Sequence, residues 1–165
     1  MILCVSIITL FLALRAGILL NVTESYPRGI YIKKAVAEKK GDLIVFCPNI
    51  ENEVVQIAKN ENIFPPSNTC PGQLPPMLKR IVGVPKDQIK ITTNGIKVNG
   101  SLIKNSKIKY PYFQKNVFVG DNFTLKKNEY WVMSEYSPNS LDSRYMGPIQ
   151  KKQIKYIVKP YFLIE

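Results

Sequence analysis

One serine in this chain stands where a nucleophile could stand. Ser25 occupies a Pro/Gly-shaped turn, Asn21-Val22-Thr23-Glu24-Ser25-Tyr26-Pro27-Arg28-Gly29-Ile30-Tyr31, five residues beyond the apolar run that ends at Leu20. A serine hydroxyl is a weak nucleophile at neutral pH and needs a base beside it. The chain contains no histidine, so the Ser-His-Asp arrangement is excluded by composition and serine with lysine remains among known variants. Lys79 is the lysine with suitable neighbours. In Met77-Leu78-Lys79-Arg80-Ile81-Val82-Gly83-Val84 strand alternation puts it on the face of Met77 and Ile81, and Arg80 on the face of Leu78 and Val82. A lysine of ordinary pKa is neutral in only about a few molecules in ten thousand at pH 7. Burial against apolar side chains disfavours the ammonium and makes a base of it. On pattern alone an edge-strand lysine that blunts aggregation competes with this reading.

The elements that must position these residues are short. From Gly29 onward the apolar runs are rich in β-branched and aromatic residues, and Ile30–Ala37, Leu43–Phe46, Met77–Val84, Ile89–Val98, Tyr130–Met133 and Ile154–Ile164 read as strands. Asn94-Gly95 predicts a hairpin with a primed turn, and Asn99-Gly100 a second turn. Glu53 to Ile63 has helical spacing at Val54, Ile57 and Ala58 before Pro65-Pro66 stops it, a short helix inside an insertion of about residues 47–70. Met1 to Leu20 is apolar except for Ser6, Thr9 and Arg15. As a helix it reaches about 30 Å, one hydrocarbon thickness. Arg15 lies towards one end, where it can snorkel, and no basic residue precedes it as a cleaved signal peptide would want. The expectation is an uncleaved N-terminal transmembrane helix over 1–20 and one mainly β domain over 21–165.

Composition bounds the partners. With 165 residues, 45% hydrophobic and 21% charged, the chain suits one folded domain plus an anchor. Its net charge of +11 comes from scattered lysines, which form a solvated surface or attract anionic headgroups at about 1 kcal/mol each; nucleic acid ranks behind both. Of three cysteines, Cys4 lies in the apolar run, so neither a metal site nor any other cofactor is expected. Cys47 and Cys70, each followed by proline, form a disulfide in an oxidising compartment and are two thiols in a reducing one.

Three boxes carry a resemblance: the turn around Ser25, the strand Leu78-Lys79-Arg80-Ile81-Val82-Gly83-Val84-Pro85-Lys86-Asp87, and Ser140-Leu141-Asp142-Ser143-Arg144-Tyr145-Met146-Gly147-Pro148. In this order, behind an apolar N-terminus, they resemble the type I signal peptidases, and most closely the conjugal-transfer, TraF-type branch. The resemblance implies a signal-peptidase-like β domain with Ser25 as nucleophile and Lys79 as general base. It implies that Thr23, with the Ser25 N–H, forms the oxyanion hole, that Ser140 hydrogen-bonds and orients the lysine, and that Asp142 and Arg144 form a supporting ion pair, expected on one side of an extended segment. The chain departs from the housekeeping pattern at Ser134–Asn139, where a Gly-Asp-Asn start is usual, at Lys86, where glycine is usual, and at Tyr26, where methionine is common.

The function implied is a membrane-anchored serine endopeptidase on the outer, periplasmic face of a bacterial inner membrane, cutting signal segments from membrane-inserted precursors, pilin precursors among them. Its partners are those precursors and the lipid bilayer, with no nucleic acid. A self-cleaving Ser-Lys repressor would need a DNA-binding domain upstream of Ser25, where only the apolar run stands. The non-enzyme alternative is a catalytically inactive anchored scaffold of a secretion apparatus.

Overall fold

Strand-forming residues alternate across two faces, and in this chain both faces of the central strands are apolar, so the sheet must be covered on both sides. The computed structural model describes residues 17–34 and 38–164. A seven-stranded antiparallel sheet runs in the order β1 (Ile18–Asn21), β2 (Gly29–Lys34), β11 (Ile154–Leu163), β3 (Leu43–Phe46), β4 (Met77–Gly83), β9 (Glu129–Met133), β10 (Ile149–Gln150). A four-stranded antiparallel sheet runs β7 (Ser101–Leu102), β6 (Gly95–Val98), β5 (Gln88–Thr92), β8 (Asn122–Thr124). Two α-helices are described, α1 (Glu53–Asn60) and α2 (Ser143–Met146).

Strand β4 lies between β3 and β9, which rules out the edge-strand reading of Lys79. Its alternation distributes side chains among three clusters: Met77 and Ile81 pack with Phe46, Val132 and Tyr145, Val82 packs with Trp131 and Ile89, and Leu78 packs with Tyr26, Tyr31 and Val45. Lys79 shares the first of these faces. The insertion covers it, with α1 burying Val54, Val55 and Ala58. Asn52 starts this helix by accepting from the Val54 and Val55 N–H groups, and its Nδ2 donates to Met146 O at 2.8 Å, joining α1 to the end of α2. Cys47 and Cys70 are joined by a disulfide, Cα–Cα 5.5 Å, closing the insertion at its base.

Several sequence expectations change in detail. Ile18–Asn21 pair with β2 as a strand, so the end of the anchor expected over 1–20 belongs to the sheet; residues 1–16 of that anchor lie outside the described residues, as does the end of the Ile30–Ala37 strand. Among the described residues no helix is long and apolar enough to cross a membrane. The predicted helix stops at Asn60, three residues short of Ile63. The β5–β6 hairpin exists, but its pairing closes at Thr92 and Gly95 around Thr93-Asn94, and Asn94 has no positive φ. The primed geometry sits at the other pair, Asn99 (φ 50°) and Gly100 (φ 82°), between Val98 and Ser101.

Lys86, where glycine is usual, occupies a left-handed backbone position. It holds φ 78° without being glycine, and the turn is tied by the Val84 N–H to Asp87 Oδ2 at 2.9 Å.

Candidate active site

The serine turn is built by the side chain of Asn21 at the end of β1. Asn21 Oδ1 accepts from the Thr23 N–H (3.2 Å) and hydroxyl (2.8 Å), while its Nδ2 is shared among the carbonyls of Thr23, Tyr26 and Pro27 at 3.0–3.2 Å. A buried amide thus folds the next six residues around itself. The turn leaves through Gly29, where a Cβ would run into the Phe162 carbonyl on β11, so only glycine fits. Tyr26 turns away from the cavity that Ser25 lines: it is buried, donates to Met133 O at 3.2 Å and is pushed up to about 12 by burial, against the opposing charge of Arg80.

Lys79 is 2% exposed. Burial pushes its ammonium from the usual 10.5 down to about 8, opposed by the charge of Asp142 and reinforced by that of Arg144. Its Nζ donates to Leu78 O at 3.1 Å. Ser25 and Lys79 line one cavity of about 420 Å3, together with Thr23, Ser140 and Leu141. Its far walls come from β1, from Pro75–Leu78 and from Ile63–Pro65 of the insertion. Among the described residues Ser25 makes no side-chain hydrogen bond to Lys79. The Ser140 hydroxyl is buried with no partner, so it is not bonded to the lysine as expected, although Ser140 lines the same cavity.

Asp142 and Arg144 are both fully buried. The segment that carries them is not extended. Asp142 is the N-cap of α2, accepting from the Arg144 N–H at 3.1 Å, so the chain turns there and the guanidinium folds back onto the carboxylate through Nε and Nη2, each at 2.8 Å. The remaining Arg144 donors reach the carbonyls of Asn105 and Pro138 (2.9 Å each), Ser140 (3.0 Å) and Ser137 (3.3 Å). Every guanidinium nitrogen is used, as a buried cation requires. Burial works against the Arg144 charge, but the bonds and charge of Asp142 more than offset it and its pKa is raised.

Two residues escaped the sequence reading. Asn21 was legible, since Asn-x-Thr is an Asx-turn spacing. Ser134 was not. Its N–H donates to Asp142 Oδ2 at 3.0 Å and its hydroxyl donates to the carbonyl of Ser25, a residue 109 positions away. A relay of hydrogen bonds therefore runs from Arg144 through Asp142 and Ser134 to the backbone of Ser25. The neighbouring Glu135 pairs with Arg80 at 2.8 Å.

A β-scaffold presenting a serine and a buried, depressed lysine in one apolar cavity defines a class, and comparison identifies it. The model of the family described as signal peptidase, peptidase S26, matches residues 1–162; the chain belongs to this family. It is 33% identical over 153 residues to a plasmid transfer protein TraF of Escherichia coli, covering 88% of this chain and 82% of that one. It is 23% identical to a conjugal transfer protein TraF of Agrobacterium tumefaciens (91% and 85% covered), and 30% identical over 95 residues to signal peptidase I V of Bacillus subtilis, covering 50% and 55%. A signal peptidase I structure from Enterococcus faecalis aligns with TM-score 0.42 at 18% identity, over 76% of this chain and all of that one. The family match and the TraF relatives support the TraF branch of the type I signal peptidase superfamily.

Proposed function

We propose that this chain is a serine endopeptidase of the Ser-Lys type, acting on exported precursor proteins held at a bacterial inner membrane. The observation that carries the reading is Lys79: a lysine with an ordinary pKa cannot serve as a base, and one lowered to about 8 is neutral in roughly one molecule in ten at pH 7. Neutral Lys79 takes the proton of the Ser25 hydroxyl as its oxygen attacks the scissile carbonyl. The oxyanion that forms is met by the Ser25 N–H and by the Thr23 hydroxyl, which turns from Asn21 to do so. Lys79 then returns the proton to the leaving amine, and water or a second amine resolves the acyl-enzyme. Resolution by water is hydrolysis; resolution by the substrate's own amine is ring closure.

The disulfide between Cys47 and Cys70 supports an oxidising compartment, and the TraF relatives support precursors used in conjugal transfer, such as pilins. Retention by an N-terminal anchor belongs to the same proposal. A second reading, an inactive anchored scaffold, rests on the Lys79 Nζ bond to Leu78 O in place of one to Ser25. The test is processing of a membrane-inserted pilin precursor in detergent by wild type, Ser25→Ala and Lys79→Ala, with product masses recorded. Cleavage by wild type alone supports the dyad, and the masses separate hydrolysis from cyclisation. Equal cleavage by all three would falsify it, and cleavage by none favours the scaffold.

A further inference from the structure

Beside the catalytic cavity lies a second, smaller one that the proposed chemistry does not use. It measures about 270 Å3 and is lined by Ile63, Tyr110, Phe113, Asn139, Leu141 and Tyr145. Ile63, Asn139 and Leu141 line both cavities, so the two share a wall. Tyr145 forms the floor: it is 1% exposed, and its hydroxyl accepts from the Lys109 N–H at 3.2 Å. The Phe113 ring stands edge-on to it at 6.1 Å between centroids, and Tyr110 is tilted against it at 6.3 Å. These spacings suit aromatic pairs, so the walls are packed and preformed. The polar group at the mouth is the Asn139 amide, whose Oδ1 is held by Lys109 Nζ at 3.2 Å.

The two cavities are also built as a unit. Arg144 Nη1 donates both to Asn105 O, on the segment that leads to Tyr110, and to Pro138 O, on the loop that carries Asn139 and Ser140. One buried guanidinium thereby fixes the aromatic wall relative to the catalytic one. A volume below the roughly 300–1,000 Å3 of a small-molecule site suits a single side chain. Tyr110 nevertheless stays 41% exposed, leaving ring surface uncovered on the wall of the smaller cavity.

We propose that this pocket is a substrate subsite taking one large apolar or aromatic side chain of the polypeptide being cut, at a position set apart from the residues held beside Ser25. The proposal rests on the peptidase reading for its substrate. An extended chain turns successive side chains to opposite sides, so the preference falls at one position while its immediate neighbours are indifferent.

The test uses the full chain carrying Ser25→Ala and fluorescent signal-segment peptides in which Gly, Leu or Phe is placed at one position at a time. Binding is followed by anisotropy, and cleavage of the same peptides is followed with the wild-type serine. At one position Phe and Leu are expected to bind about tenfold tighter than Gly. Tyr110→Ala and Phe113→Ala should abolish that preference while leaving the Gly peptide unchanged, and Tyr110→Trp should keep it. Thermal melts confirm that the variants fold. No discriminating position, no binding at all, or a preference that survives both alanine variants overturns the subsite. Because binding is read on the inactive serine, an absence of cleavage counts against the peptidase reading and leaves the subsite to be decided by the binding data.

Discussion

The two halves of the proposed dyad are held in opposite ways. Ser25 sits on an outer turn beside the edge strand β1, half-buried, with exposed Thr23 and Glu24 next to it, and is positioned entirely through its backbone. Lys79 sits on a central strand, 2% exposed, walled by apolar side chains and backed by a buried ion pair. The difference matches what the proposed roles require. A nucleophile has to meet a polypeptide, so its side chain stays accessible while the carbonyl and turn are fixed. A lysine base has to lose its proton near neutral pH, and removal from water accomplishes that.

Removing the buried half should have the largest effect. Lys79→Met is expected to lower precursor cleavage on the order of 10^4–10^6-fold, as loss of a member of such a unit does. Its melting temperature at pH 7 should be unchanged or higher, since a buried ammonium has gone; a large fall in both would mean that the lysine is structural. Next comes the ion pair: Arg144→Met leaves Asp142 buried without its partner, at about 3–5 kcal/mol, measurable by urea unfolding. A loss below 1 kcal/mol would show that the pair is wetter than its burial suggests.

The pH profile sharpens the same contrast. Activity should rise about tenfold per pH unit towards pH 8 and level off above it, because only neutral Lys79 can accept the proton. For stability, the folded pKa lies below the unfolded one, so the folded chain binds fewer protons between about 8 and 10.5 and the contribution of Lys79 rises with pH across that window. A cleavage profile flat from pH 6 to 9 would break the assignment. On the exposed half, Ser134→Ala removes the hydroxyl that holds the Ser25 carbonyl. One hydrogen bond is about 0.5–1.5 kcal/mol, so kcat should fall roughly 3–10-fold with KM little changed, and Ser134→Thr should restore part of it. The smallest effect belongs away from both: Lys86→Gly relieves a left-handed backbone and is expected to raise stability by up to about 1 kcal/mol without altering cleavage.

Much of the scaffold was legible because it follows local rules. Leu43–Phe46 occurs as read, and Met77–Val84 and Ile154–Ile164 to within a residue, since β-branched runs bounded by turns admit few alternatives. The misses were short or far-reaching. β7, β8 and β10 have two or three residues each and exist because neighbouring strands supply partners. The two-residue spacing of Asp142 and Arg144 predicts one side of an extended segment, but a capped helical turn gives the same pair a tighter bidentate geometry. The Asn94-Gly95 signal marked a real hairpin and the wrong pair of turn residues, because register is fixed by the whole sheet rather than by one dipeptide.

The sequence by itself determined the chemistry that was available: no histidine, one serine on a shaped turn, and one lysine flanked by apolar residues on both faces of a strand. Tertiary structure decided whether that chemistry could operate. Only the packing of β4 between β3 and β9, under the insertion, removes Lys79 from water. Only the fold brings Ser134 and Ser25 together across 109 positions and sets the aromatic pocket beside the cavity lined by Ser25 and Lys79. Residue type is a local property, whereas desolvation and long-range hydrogen bonds exist only once distant segments have been brought into contact.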